Sequence, residues 1–396
     1  MKNKRLLLSL GVILLFALIS LSHLPPCAMA ASSEPIIVGV LIPQTGPFTE
    51  LGNQIKRGLT IAFDEVGWKI AGRDVKMITE DSEGKPPVAL QKARKLVESD
   101  RVTLLAGVVQ SPEAIALRGY VNEQKVPIII TLASADAITQ ENASRYLFRT
   151  SYSSKMKEAP LANYVYKKLG TRTVYIVAAD FVAGHERSGW FKRTFEKLGG
   201  KVIGESFPPI GTTDFAPYLS KIKDVDATYA FLPGSDAIQF VKQYDEYGLK
   251  KRVPTIIGSG IFLPYQLEAQ KDAALGSISA DIYSVTLNTP ENQKFVKAYQ
   301  KMKKGDNPDE SVEGAYIAGQ VIIEGIKMMK GDTKDVPKLL DTFKKLKLKV
   351  PRGDFMFDDK QNAVSNVYIE KVVKKEGRYT VDLLETFKDV SQDWNP

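Results

Sequence analysis

Histidine and cysteine are almost missing from this chain. Its 396 residues hold two histidines and one cysteine, and His23 and Cys27 both fall within the first thirty. Downstream of residue 30, His185 stands alone. That excludes a Cys/His zinc site and a Cys–His nucleophile–base pair. A Ser-His-Asp arrangement would have to use His185, and no Gly-x-Ser-x-Gly elbow exists. A complete dinucleotide loop is absent too: "GSGIFL" (258–263) has two glycines at the right spacing and lacks the third. Carboxylate-only catalysis stays open, because 46 Asp and Glu cannot be excluded by counting, although most such residues solvate surfaces. No enzyme, metal or cofactor is expected.

One long apolar run is present, and it stands at the front. Lys2, Lys4 and Arg5 precede Leu6–Leu21, and Ala28-Met29-Ala30 supplies a small-x-small cleavage site. This is the pattern of a cleavable export signal over 1–30, which places the mature chain in the periplasm. The alternative is a lipoprotein signal ending at Cys27, and Pro25-Pro26 directly before that cysteine fits a lipidation box poorly. Cleavage after Ala30 leaves an exported chain without disulfides, and about 366 residues bury enough apolar surface to do without them.

The length suggests two domains. Net charge falls from +8 to +5 once the three basic residues of the leader are gone. The remaining lysines are interleaved with acids, a solvated surface rather than a nucleic-acid stripe. Even the densest cluster, "KKLKLKV" (344–350), reads as a solvated helix end.

β-Branched runs and amphipathic stripes alternate through most of the chain. Strands are expected at 36–42, 75–80, 103–109, 126–131, 173–178, 201–206, 227–232 and 253–257. Several lack polar alternation, as strands buried on both faces of a parallel sheet do. The alternation implies βαβ units and an α/β fold with parallel sheets. The unit also repeats. "GVVQSPEAIALRGYVNEQKVPIIITLASAD" (107–136) and "FLPGSDAIQFVKQYDEYGLKKRVPTIIGSG" (231–260) share one layout: an apolar run, a Ser before a helical pattern, Val-Pro, and a second apolar run closing on small residues. Two like-built lobes are the simplest account. No long Pro/Gly/Ser linker separates them, which suits a hinge. The tail differs, with three helical patterns over 290–346 and then an alternating stretch with turn signals at 358–362 and 375–377, a small antiparallel addition.

Parallel sheets bind ligands at the carboxyl ends of their strands, where loops enter helix N-termini. Ser111 and Ser235 occupy such places in the two halves. Each would cap its helix beside free N–H groups that attract an anion, although most serines in this position only cap. The loop "LIPQTGPFTELG" (41–52) leaves Phe48 without a local apolar partner, and Phe181 follows the strand 173–178 in the same way; an aromatic on such a loop is placed to cover a ligand or to pack on its neighbours. His185 reads as a surface residue.

In order, "IIVGVLIPQTGPFTELG", "GVVQSPEAIA", "VPIIITLASAD", "YLFRT" and "AADFVAG" resemble the extracytoplasmic binding proteins of branched-chain amino acid ABC transporters, from about Ile36 to Phe387. The resemblance implies a type I periplasmic binding fold: two Rossmann-like lobes joined by three crossings and hinged around a central cleft. Residues 31–150 with 283–350 would form the first lobe, and 151–282 with 351–396 the second. It implies that Ser111, next to Gln110, holds a ligand carboxylate with its hydroxyl and helix N-terminus. Ser134, between Ala133 and Ala135, would complete that grip, with Ala135 replacing the family's threonine. Where the family places an acid for a ligand ammonium, this chain has Ser259 or Gly260; where it places tyrosines, it has Leu51, Ala183 and Gly234, and the loss of those large side chains implies a widened pocket. An ammonium closed in without a carboxylate partner is costly. The expected ligand is therefore a small carboxylate with a bulky, aromatic body, with a branched-chain amino acid as the alternative. Expected partners are that small molecule and a transporter's membrane permease subunits, for a monomeric protein that binds no nucleic acid. A ligand-sensing module for a membrane receptor is the rival role.

Overall fold

The computed structural model describes residues 34–141 and 143–395. The leader over 1–30, with Cys27 and the cleavage motif, lies outside the described residues.

Two sheets form. In the first, Arg73–Asp81, Ile36–Ile42, Leu104–Gly107, Ile128–Ile130 and Leu147–Arg149 run parallel in that order, and Lys69–Ile70 adds a short antiparallel edge. In the second, Ile278–Asp281, Ile256–Gly258, Ala227–Phe231, Thr173–Ala178 and Lys201–Ser206 are parallel neighbours. The tail then adds Ala363–Lys375 antiparallel to Ile278–Asp281, with Arg378–Val390 and Gly353–Phe357 pairing it in turn. Leu104–Gly107, Ile128–Ile130 and Ala227–Phe231 are buried at every residue, which is why their sequences show no polar alternation.

The three tail helices are Pro290–Met302, Glu310–Met328 and Val336–Lys344. They return to the first sheet's side. Val312, Ala315, Tyr316 and Ile323 share one apolar core with Ile55, Leu59, Ala62 and Phe63 of the helix Thr49–Asp64. Two glycines set the closeness of that contact. A Cβ at Gly58 would lie 2.1 Å from the Val312 carbonyl oxygen, and one at Gly319 would lie 2.3 Å from the Ala62 Cβ. Strand residues Val350, Phe355 and Phe357 belong to this same core, where Phe357 and Phe148 meet edge to face at 5.1 Å, although their backbone pairs toward the second sheet. The tail thus joins both halves. Among the described residues no helix is long and apolar enough to cross a membrane.

Candidate functional site

The carboxyl ends of both sheets face one cavity of about 530 Å³, part of it open to solvent. On one side stand Phe48, Leu51, Gln110, Ser111 and Ser134; on the other Phe181, Ala183, Arg187, Phe231, Gly234 and Gly260. Tyr152, Glu310 and Ser311 complete the lining.

Eight of the twelve expected residues therefore meet here: Phe48, Gln110, Ser111, Ser134, Phe181, Ala183, Gly234 and Gly260. The other four are not among its lining. Ala133 and Ala135 are packed into an apolar cluster of the first half. Ser259 is fully buried and donates its hydroxyl to Glu158. Ser235 is exposed. It caps nothing, because Gly234, at φ +62°, holds the N-cap position, a backbone conformation that L side chains rarely adopt.

Ser111 is also not a cap. Gln110 takes that place, and its N–H is accepted by Glu113 at 2.9 Å while its side-chain amide donates to the Gly84 carbonyl at 2.7 Å. Ser111 is the first helical residue, and its Oγ accepts the N–H groups of Ser134 at 3.2 Å and Ala135 at 3.0 Å. The serine thus joins two loops of one wall.

Two expectations about space and charge need correcting. Gly234 does not widen the cavity, because a Cβ there would lie 2.7 Å from the Pro47 carbonyl oxygen of the opposite wall. The region around Gly260 is not free of acid either. A Cβ on Gly260 would lie 3.6 Å from Glu310 Oε1 and 3.7 Å from Arg187 Nη1. Glu310 arrives from the tail helix, a segment with no linear link to the cleft loops.

That acid is already partnered. Lys157 Nζ lies 2.7 Å and 2.8 Å from the two Glu310 oxygens and 2.8 Å from Asp281, and the Tyr152 hydroxyl donates to Glu310 at 3.0 Å. Burial works against the Lys157 ammonium, yet Asp281 and Glu310 outweigh it and hold its pKa above the usual lysine value. Arg187 is different. It is 1 % exposed, and its Nε and Nη2 have no hydrogen-bond partner among the described residues. Its nearest carboxylate oxygen, on Glu158, is 3.6 Å away and is taken by Ser259. The guanidinium lies 4.2 Å from the Phe231 ring centre and 5.0 Å from that of Tyr152. The one available sequence signal for Arg187 was its position four residues after Ala183, on the same helical face. His185, as expected, is half exposed, 2.7 Å from Asp180 and stacked on Phe207.

Asp309 and Glu113 share a device that makes stability depend on pH. Asp309 Oδ1 caps the tail helix by accepting from Ser311 and Val312, while Oδ2 is buried without a partner among the described residues. Among the same residues Glu113 Oε1 likewise has none. Burial pushes both carboxyls up to about 7, against about 4 in an unfolded chain. Between those values the folded protein holds protons the unfolded chain has released, so their contribution falls as pH rises from about 4 to about 7. Asp309→Asn and Glu113→Gln keep the capping oxygen and remove the titration. Each should gain about 1–3 kcal/mol over the parent at pH 8 and nothing at about pH 3, below both pKa values. Urea melts at the two pH values check this; equal midpoints at pH 8 would mean that these carboxyls ionise normally.

Comparison with known proteins agrees with this architecture. A family model described as periplasmic binding protein matches residues 35–378. The Leu/Ile/Val-binding protein homolog 6 of Brucella melitensis is 31% identical over 388 residues, covering 94% of this chain and 96% of its own. Among solved structures, an ABC transporter substrate-binding protein from Sphaerobacter thermophilus is 37% identical with a TM-score of 0.85, covering 90% of this chain and 99% of its own. A solute-binding protein of an ABC transporter from Rhodopseudomonas palustris HaA2, solved in complex with p-hydroxybenzoic acid, is 32% identical with a TM-score of 0.86, covering 91% of this chain and 98% of its own. Two parallel-rich α/β halves facing one cavity, and a match along nearly the whole length, make this chain a member of the periplasmic binding protein family, of the type I, Leu/Ile/Val-binding kind that serves ABC transporters.

Proposed function

We propose that this protein is the extracytoplasmic solute-binding component of an ABC importer, and that its ligand is a small aromatic carboxylate. Arg187 carries the reading. A buried guanidinium with unfilled donors in an aromatic-walled cavity calls for an anion with a flat apolar body. A free ammonium finds no equivalent, because Glu310, the one carboxylate on the lining, is engaged by Lys157 and Tyr152. Phe48, Phe181 and Phe231 supply the apolar cover. The hydroxybenzoate held by the Rhodopseudomonas relative supports the same class. In this reading the leader over 1–30 is cleaved on export, and the two lobes close on the ligand by a hinge. The monomer then hands its ligand to membrane permease subunits, with no catalytic step.

A branched-chain amino acid is the second reading, favoured by Glu310 beside Gly260 and by the names of the Brucella relatives. A thermal-shift screen of the mature protein decides between them. Ligand binding to the folded state at 100 times Kd stabilises it by about 2.7 kcal/mol, enough to move the melting temperature by a few degrees. Benzoate and its hydroxylated forms should produce that shift, and leucine, isoleucine and valine should not. The reverse result would replace the aromatic acid with an amino acid and leave the transport role standing.

A further inference from the structure

Resting on the aromatic-acid reading, we infer that the ligand is held in the direction opposite to the one the resemblance implies: its carboxylate sits on Arg187 and its far end points to Ser111. The two walls offer different chemistry. On the Ser111 side, the backbone N–H groups of Ser134 and Ala135 that would grip a carboxylate are already given to Ser111 Oγ, at 3.2 Å and 3.0 Å. The Gln110 amide is given to Gly84. What remains among the side chains there is neutral hydroxyls: Ser111, Ser134 and, on the same lining, Ser311 Oγ, buried and without a partner among the described residues. Ser111, with both acceptor positions filled, keeps its O–H to donate, and the other two hydroxyls can donate and accept, so together they suit a phenol or another uncharged polar group.

On the other side stands a full charge with unfilled donors. Among the described residues Arg187 Nε and Nη2 are buried without a hydrogen bond, and Glu158, 3.6 Å from Nε, accepts from Ser259 and Tyr229. A carboxylate at Ser111 would leave Arg187 Nε and Nη2 without a hydrogen bond when the cleft closes, with the Glu158 oxygen 3.6 Å from Nε as the nearest negative charge. A carboxylate at Arg187 fills both donors, two oxygens against a planar fork. The rings of Phe231 and Tyr152, at 4.2 Å and 5.0 Å, restrict the plane in which the fork can lie. The ligand class that satisfies both ends is an aromatic monocarboxylate bearing a hydrogen-bonding group remote from the acid. Arg187 then discriminates anion from neutral analogue, and Ser111 discriminates among ring substituents.

Calorimetry on the wild type, Arg187→Met and Ser111→Ala, each with benzoate, benzamide and 4-hydroxybenzoate, tests the orientation. Arg187→Met should weaken benzoate by about 10- to 100-fold, the range for losing a hydrogen bond to a charged group. It should also erase the preference for benzoate over benzamide, a ratio measured within one variant and so independent of any loss of stability. Ser111→Ala should erase the preference for 4-hydroxybenzoate over benzoate, again a ratio measured within one variant and so independent of any general weakening of the wall. An unchanged 4-hydroxybenzoate-to-benzoate ratio in Ser111→Ala, or an unchanged benzoate-to-benzamide ratio in Arg187→Met, overturns the orientation. Should Arg187→Met fail to fold, the Ser111→Ala arm decides alone. If the wild type binds none of the three, the aromatic-acid reading fails instead, a distinct outcome.

Discussion

Lys157→Met should cost about 3–5 kcal/mol of folding stability, the range for removing one partner from a buried ionic cluster. The lysine side chain is completely buried in the helix Ser154–Lys167. Its ammonium reaches Asp281, at the end of a second-sheet strand, and Glu310, at the start of the helix that packs beside the first sheet. One charge thus ties three chain segments near the passage between the halves. Without it, two buried carboxylates face each other. A third, Glu370, is already pushed well above its ordinary range, by burial and then by Asp281. The added methionine fills the volume and isolates the electrostatic effect. Urea titration should show a lower midpoint with an unchanged slope. The gap to the parent should narrow at acid pH, where the stranded carboxyls protonate, and Glu310→Gln in the same chain should recover part of the loss. A cost below about 1 kcal/mol would show the cluster to be well hydrated rather than buried.

That cluster also marks the limit of what the sequence discloses. Parallel strands buried on both faces leave continuous apolar runs, and Ile36–Ile42, Thr173–Ala178 and Lys201–Ser206 have the limits their residues suggest. Leu147–Arg149 and Ile278–Asp281 escape the same reading, because three or four residues are too few to establish a period. The cleft loops are legible for a related reason: strand ends in this topology face the ligand, and Phe48, Ser111 and Phe181 follow directly. The charged part of the site is not legible. Lys157, Glu158, Arg187 and Glu310 sit in helical stretches where composition assigns Lys and Glu to the surface, and all four are buried. What buries them is pairing across the chain, 153 residues apart for Lys157 and Glu310, and nothing local records such a pair. Ser235 shows the converse error. The serine looked like a cap, but the glycine before it takes the turn that only a residue without Cβ adopts easily.

Gly234 is also where a single side chain should abolish closure. It stands on the second-sheet wall at φ +62°, and the space beside it belongs to the opposite wall: the Pro47 carbonyl oxygen 2.7 Å from an added Cβ, with the Phe48 ring at 3.9 Å. A backbone oxygen cannot swing aside as a side chain does, so Gly234→Val forces the Pro47–Phe48 loop away and the walls apart. Two costs are involved and can be separated. The first is the positive φ, about 1–3 kcal/mol of folding stability, present whether the cleft is open or shut. The second falls on the closed form alone, and about 3 kcal/mol there weakens ligand binding by more than a hundredfold. Gly248→Val is the control, since Gly248 has φ +73° and nothing within 4 Å of its added Cβ. Both variants should melt earlier than the parent. Only Gly234→Val should lose binding of the aromatic acid and keep the radius of gyration of the ligand-free protein when that acid is added, as measured by small-angle scattering. Equal binding in the two variants would mean that the contact between Pro47 and Gly234 is not part of the ligand-bound state, and that the walls meet elsewhere when the cleft is filled.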